Sequence, residues 1–223
     1  MNEALHEKLI HYVKKFILLG GMPEVVKRYA AGEGILACQR VLDDLLLSYQ
    51  DDFAKYKEKE PATRIAEVFN SVVLQLGGKF VLSKSSPLLN HYQIKEALDL
   101  LIKSGLVIPV THSSSNGIPL VARIMPKDRK MLLIDTGLAL RLSSFDLKDY
   151  LTSEPAEILN KGSIAELFAG LELLKSSSPY EKKELYYWRR KALNSNAEVD
   201  YVVQKNNRLV RIEIKSGTKG SMQ

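Results

Sequence analysis

Apolar residues at helical spacing dominate the first third of the chain. In "LHEKLIHYVKKFILLGG", Leu5, Leu9, Tyr12, Val13 and Phe16 fall on successive turns, predicting a helix that Gly20-Gly21 ends. Pro23 stands where a second helix over "EVVKRYAA" begins, because its fixed φ suits a first helical turn. A longer helix follows over "ILACQRVLDDLLLSYQDDFAKY", and Pro61 opens another over "ATRIAEVFNSVVLQLGG". From Ser83 the texture changes: "SKSSPLLNHY" reads as a loop and "QIKEALDLLIKSG" as a short amphipathic helix ended by Gly105. "LVIPVTH" and a strand near "LVARIM" flank the polar "SSSNG", the pattern of a hairpin or wing. "KMLLIDTGLALRL" then reads as a strand running into a short helix.

Residues from about Ser143 to Lys161 form a connector punctuated by Pro155 and Gly162. Beyond it, Ile164, Leu167, Phe168, Leu171 and Leu174 make the apolar face of a helix. "ELYYWRR" predicts a strand, and "AEVDYVVQKNNRLVRIEIKSG" a hairpin. Alternation places Tyr186 and Trp188 on one strand face, expected to pack under that helix. The expected fold class is therefore mixed α/β: a mostly helical part with a winged-helix unit over residues 1–145, then an α/β part over 156–223.

Composition narrows the function classes. The net charge of +6 and pI near 9.2 favour anionic partners, with DNA the one to test, although the 32 Lys and Arg are spread among 26 acids. Cys38 is the only cysteine, so no internal disulfide can form. No apolar run is long enough to span a membrane, and the start has no signal-peptide core, so the expected location is cytoplasmic. The four histidines show no metal-ligand spacing.

The candidate chemistry lies in the final hairpin. Asp200 interrupts its first apolar run, and Glu213 and Lys215 share one face of the second by alternation. Two carboxylates and a lysine are what a Mg²⁺-dependent phosphodiester hydrolase needs: oxygen ligands for a hard ion, and a cation beside the attacking water. Glu166, on the preceding helix, could add a carboxylate from above the sheet. The alternative is a wet edge hairpin with Glu213 and Lys215 paired in solvent. Arg189, Arg190 and Lys191 are candidate phosphate contacts at a strand end, and Lys95 and Lys103 on the short amphipathic helix.

Asp200, then Glu213-Ile214-Lys215 thirteen residues on, with Glu166 on a helix before them, resembles the PD-(D/E)XK nuclease superfamily and its restriction-endonuclease-like fold. More specifically, "GGMPEVVKRY", "LLLSYQDDFAKY", "KMLLIDTGLALRL", "GSIAELFAGLELL", "LYYWRR", "AEVDYVV" and "IEIKSG", in that order, resemble the C-terminal half of a prokaryotic AAA-superfamily ATPase family. In that family a P-loop domain precedes a winged helix and a domain of unknown function with a nuclease-like fold. The resemblance implies Asp200, Glu213 and Glu166 as metal ligands and Lys215 on the attacking water. It also implies "GGMPE" as a hinge after the ATPase domain. No G-x-x-x-x-G-K-[ST] occurs, so ATP binding is not carried over to this chain, and the ATPase half is expected elsewhere in a longer protein. The family fold continues past the strand bearing Lys215, so the nuclease-like part is expected to be truncated. Two functions stay open: a Mg²⁺-dependent nuclease portion, or a non-catalytic DNA- or protein-binding module that keeps the fold.

Overall fold

Helix α1 (Glu3–Leu19) starts where the Asn2 side chain accepts from the Ala4 N–H, and ends at Gly20, whose positive φ only glycine adopts cheaply. The computed structural model describes residues 2–56, 61–114, 117–143, 162–178, 180, 183–192 and 195–215. Most of the expected connector lies outside them. Pro23 is the first residue of α2 (Pro23–Ala30), followed by α3 (Gly34–Phe53), α4 (Ala62–Leu74) and α5 (His91–Lys103). A reciprocal capping box between Asn90 and Gln93 fixes the start of α5. The apolar stripe expected on α1 is only partly used. Leu5, Leu9 and Tyr12 stay exposed, whereas Ile17, Leu18 and Leu19 in the last turn enter the core.

After α5 come β1 (Val107–Ser113) and β2 (Ile124–Leu133), paired antiparallel. Here the sequence reading needs correction. "LVAR" is a short 3-10 turn, and the strands expected near "LVARIM" and "KMLLID" are one strand. Its pairing with β1 jumps from Arg129 to Met125, so residues 126–128 bulge out. Pro126 has no N–H to give the ladder, which accounts for the break.

β2 leads into α6 (Thr136–Leu142), and Asp135 between them ties the chain back to its start. Its carboxylate caps α6 by accepting from the Leu138 N–H at 3.0 Å and reaches 114 residues back to the Gly21 N–H at 2.6 Å. A Cβ on Gly137 would stand 2.6 Å from the Leu19 carbonyl oxygen, so a side chain there would push α1 away. Gly20-Gly21 is therefore clamped by this aspartate. Asp135→Ala should cost about 2 kcal/mol, from the lost cap on the buried Leu138 N–H and the lost bond to the Gly21 N–H. Urea unfolding of the two proteins checks it.

Helix α7 (Gly162–Lys175) covers the sheet face bearing Leu132 and Tyr201 and buries Ile164, Leu167 and Leu171, as its pattern predicted. Strands β3 (Leu185–Ala192), β4 (Ser195–Lys205) and β5 (Arg208–Ile212) complete a five-stranded sheet of order β2-β1-β3-β4-β5. The fold is mixed α/β. β3 lies parallel to β1, pairing Val110 with Leu185, so one sheet runs from the hairpin after α5 into the last strands. Asn206 and Asn207, both at positive φ, make the two-residue β4–β5 turn.

Tyr186 and Trp188 do share a face, but not under α7. They cluster with Leu120, Val199, Val202 and Leu209, separately from the main core. Tyr187, from the opposite face, joins that core with α7.

A lysine held by three carboxylates

Lys130 on β2 is 1% exposed, and its Nζ meets Glu166 Oε1 at 2.8 Å, Glu198 Oε1 at 2.5 Å and Asp200 Oδ1 at 3.5 Å. Three segments converge to build this cluster. Lys130 comes from β2, Glu166 from the second turn of α7, and Glu198 and Asp200 from β4. The register explains why β4 gives so much to one face. Between the pairs Tyr186–Val202 and Trp188–Val199, β4 advances three residues while β3 advances two. This bulge breaks alternation, so Asp200 and its neighbour Tyr201 both reach the α7 side. Tyr201 there donates its hydroxyl to the Glu166 carbonyl at 2.7 Å. Gly170 leaves it room, because a Cβ at Gly170 would overlap the phenol.

The electrostatics follow from three acids around one base. Burial alone would depress the Lys130 ammonium, but Glu166 and Glu198 together hold it above its ordinary value. Burial pushes the Glu166 carboxyl up to about 7; Lys130 opposes this, and Asp200 and Glu198 add repulsion. The cluster thus accommodates a proton on Glu166 near neutrality while Lys130 stays charged.

Beside it, the Lys130 ammonium stands 5.3 Å from the Tyr187 ring centroid, a cation–π contact. The Tyr187 hydroxyl donates to Asp128 Oδ1 at 2.8 Å. Asp128 also pairs with Lys79 at 2.8 Å and Arg189 at 3.5 Å, and its carboxyl lies below the usual range because these partners outweigh its burial. His112 packs on Tyr187, and its Nε2 lies 3.1 Å from the Arg189 carbonyl oxygen.

Of the residues singled out in the sequence, Glu166 and Asp200 meet in this cluster. Glu213 and Lys215 lie just past the end of β5 and pair with each other at 3.8 Å, with 61% and 45% of their side chains exposed. The ladder stops at Tyr201–Ile212, and Asp200 Oδ2 accepts the Ile214 N–H at 2.8 Å in place of a backbone carbonyl. Ile212 and Ile214 pack toward the core. Arg189 is engaged with Asp128, Arg190, Lys95 and Lys103 are exposed, and the Lys191 side chain lies outside the described residues. Sequence reasoning missed Lys130 and Glu198. Glu198 had a signal in the "EVD" spacing of two before Asp200; Lys130 had none beyond a lysine entering the apolar run "MLLI".

The nuclease resemblance implies a Mg²⁺ ion, and the cluster does not fit one. Of the implied ligands, Glu166 and Asp200 each already turn an oxygen to the Lys130 ammonium, Asp200 spends its second oxygen on Ile214, and Glu213 is outside the cluster and pairs with Lys215. Among the described residues no three His, Cys, Asp or Glu stand as a metal-holding group. Nor is any helix among them long and apolar enough to cross a membrane.

Comparison with known families divides the chain near the expected connector. Residues 161–223 match a family model described as a domain of unknown function (DUF4143). No curated protein and no solved structure matches the chain. A second family model covers residues 10–149, more than half of the chain, and so this protein belongs to the family described as a domain of unknown function, DUF8612.

Proposed function

We propose that this chain is the nucleic-acid-directed portion of an AAA-type ATPase and that its nuclease-like sheet is structural, not hydrolytic. The observation that carries the second half of this reading is the buried Lys130 ammonium, which stands among Glu166, Glu198 and Asp200. A fixed internal cation takes one oxygen of each acid and occupies the point where a metal ion would otherwise sit. It also ties β2 to α7 and β4, and hence the segment matching one family model to the segment matching the other. The ATPase association rests on the order of seven sequence motifs. Two helices followed by an antiparallel hairpin, α4–α5–β1–β2, is the order of a winged helix and supports turning α5, with its exposed Lys95 and Lys103, toward nucleic acid.

A Mg²⁺-dependent hydrolase is the second reading. In its favour, Glu198 and Asp200 keep 38% and 20% of their side chains open to solvent beside a lysine. Calorimetric titration with Mn²⁺ separates the two. The expected result is no saturable binding to the wild type, together with DNA binding that weakens steeply with salt and survives Asp200→Ala. Saturable Mn²⁺ binding that Asp200→Ala removes, with cleavage of DNA, would establish the hydrolase instead.

A further inference from the structure

A second place with ligand-binding character lies away from the lysine cluster, between α5 and the bulged part of β2. It is a pocket of about 520 Å³, within the range of small-molecule sites. Its floor is apolar, made by Phe80, Leu98 and Met131, all buried. Cations stand on both walls, Lys95 from α5 and Lys127 and Arg129 from β2, with the His91 ring beside Lys95 on α5. Lys95 and Lys127 are exposed and make no ion pair among the described residues, and Arg129 turns its Nε to the Pro126 carbonyl, leaving its terminal nitrogens available. The bulge that Pro126 forces is what brings Lys127 to the rim. One acid, Asp99, also lines the pocket.

These features select an organic anion, and its parts can be assigned. Cations facing each other across a gap suit an anion with several oxygens, such as a phosphate, better than a lone carboxylate. An apolar floor suits a flat ring. An acceptor among cations is costly for an anion unless the ligand brings a donor, and the exocyclic amino group of adenine or cytosine is such a donor. We propose that this pocket holds one nucleotide unit, with its phosphate between Lys95 and Lys127, its base over Phe80, Leu98 and Met131, and its amino group at Asp99. The nucleotide is either free or an unpaired residue of a single strand. The strand case rests on the nucleic-acid reading above; the free case does not.

Fluorescence anisotropy of a short labelled oligo(dA), with oligo(dT), a duplex and AMP as competitors, tests it on the full chain. Oligo(dA) should bind more tightly than oligo(dT) or the duplex. The double variant Lys95→Glu/Lys127→Glu should weaken binding about tenfold or more. Lys8→Glu/Lys205→Glu, with the same net charge and both changes outside the pocket, should weaken it far less. Asp99→Leu, which removes the acceptor, should erase the preference for oligo(dA). All five positions are exposed or half-exposed, and circular dichroism verifies that each variant folds. Displacement by AMP assigns the free nucleotide; its failure to displace assigns the strand. Equal weakening by the two double variants, or none by either, overturns the pocket while leaving nucleic-acid binding standing. Binding of AMP, read directly by calorimetry, without either oligonucleotide supports the pocket and removes the nucleic-acid reading. No binding of any of them removes both.

Discussion

Lys130→Met is expected to destabilise the protein by about 3–5 kcal/mol, the range for removing one partner of a buried ion pair. Methionine fills the space of the lysine stem, so packing is largely kept and the loss isolates the ammonium. What remains is three carboxylates converging on an empty point. Glu198 and Asp200 can lean toward water, at 38% and 20% side-chain exposure, but Glu166 at 8% cannot. The penalty should therefore concentrate on Glu166. A double-mutant cycle with Glu166→Gln, measured by urea unfolding at about pH 8, should return a coupling of about 2 kcal/mol. If the two single effects add within about 0.5 kcal/mol, Lys130 is not held by Glu166 and the structural role of the cluster falls.

Why this cluster was only half legible in the sequence has a physical answer. Local periodicity reports which side chains share a face of one element, so α7 and its buried Ile164, Leu167 and Leu171 could be read directly. So could the Asn206-Asn207 turn, where local backbone geometry decides. Asp200 and Glu166 stood out because an acid amid apolar neighbours is anomalous. Lys130 did not, because a lysine at the entry to a strand is ordinary until another element covers it. Nothing local announces that β1 pairs in parallel with β3 and so brings β2 within reach of α7. Bulges defeated alternation twice. At Asp200-Tyr201 one turned two successive residues to the same face, and at Pro126 another joined two expected strands into one. Likewise, Glu213 and Lys215 satisfied alternation with each other, but their face relative to Asp200 depends on where the β4–β5 ladder stops. The exposed Leu5, Leu9 and Tyr12 make the complementary point: a helical stripe shows that a segment can be amphipathic, not that something covers it.

The cluster also makes stability depend on pH, in a direction opposite to that of most salt-bridged acids. The Glu166 carboxyl sits at about 7 in the folded protein, against 4.5 for an ordinary glutamate. Below about pH 4.5 both folded and unfolded chains hold its proton, and the group contributes no slope. Between 4.5 and about 7 the folded chain holds a proton that the unfolded chain has released, so stability falls as pH rises through this window. Above it neither state holds the proton and the slope ends. Across the whole window the loss is about 3 kcal/mol, from about 1.4 kcal/mol per pKa unit. Asp128, whose carboxyl lies below the usual range, acts in the other sense, but only at more acidic pH. Glu166→Gln keeps a carbonyl oxygen for Lys130 and removes the titration. Relative to wild type it should therefore gain about 3 kcal/mol between pH 4.5 and pH 8 in urea unfolding. Parallel curves for the two proteins would mean that Glu166 titrates normally, and that the ammonium neutralises it fully instead of sharing its charge with Glu198 and Asp200.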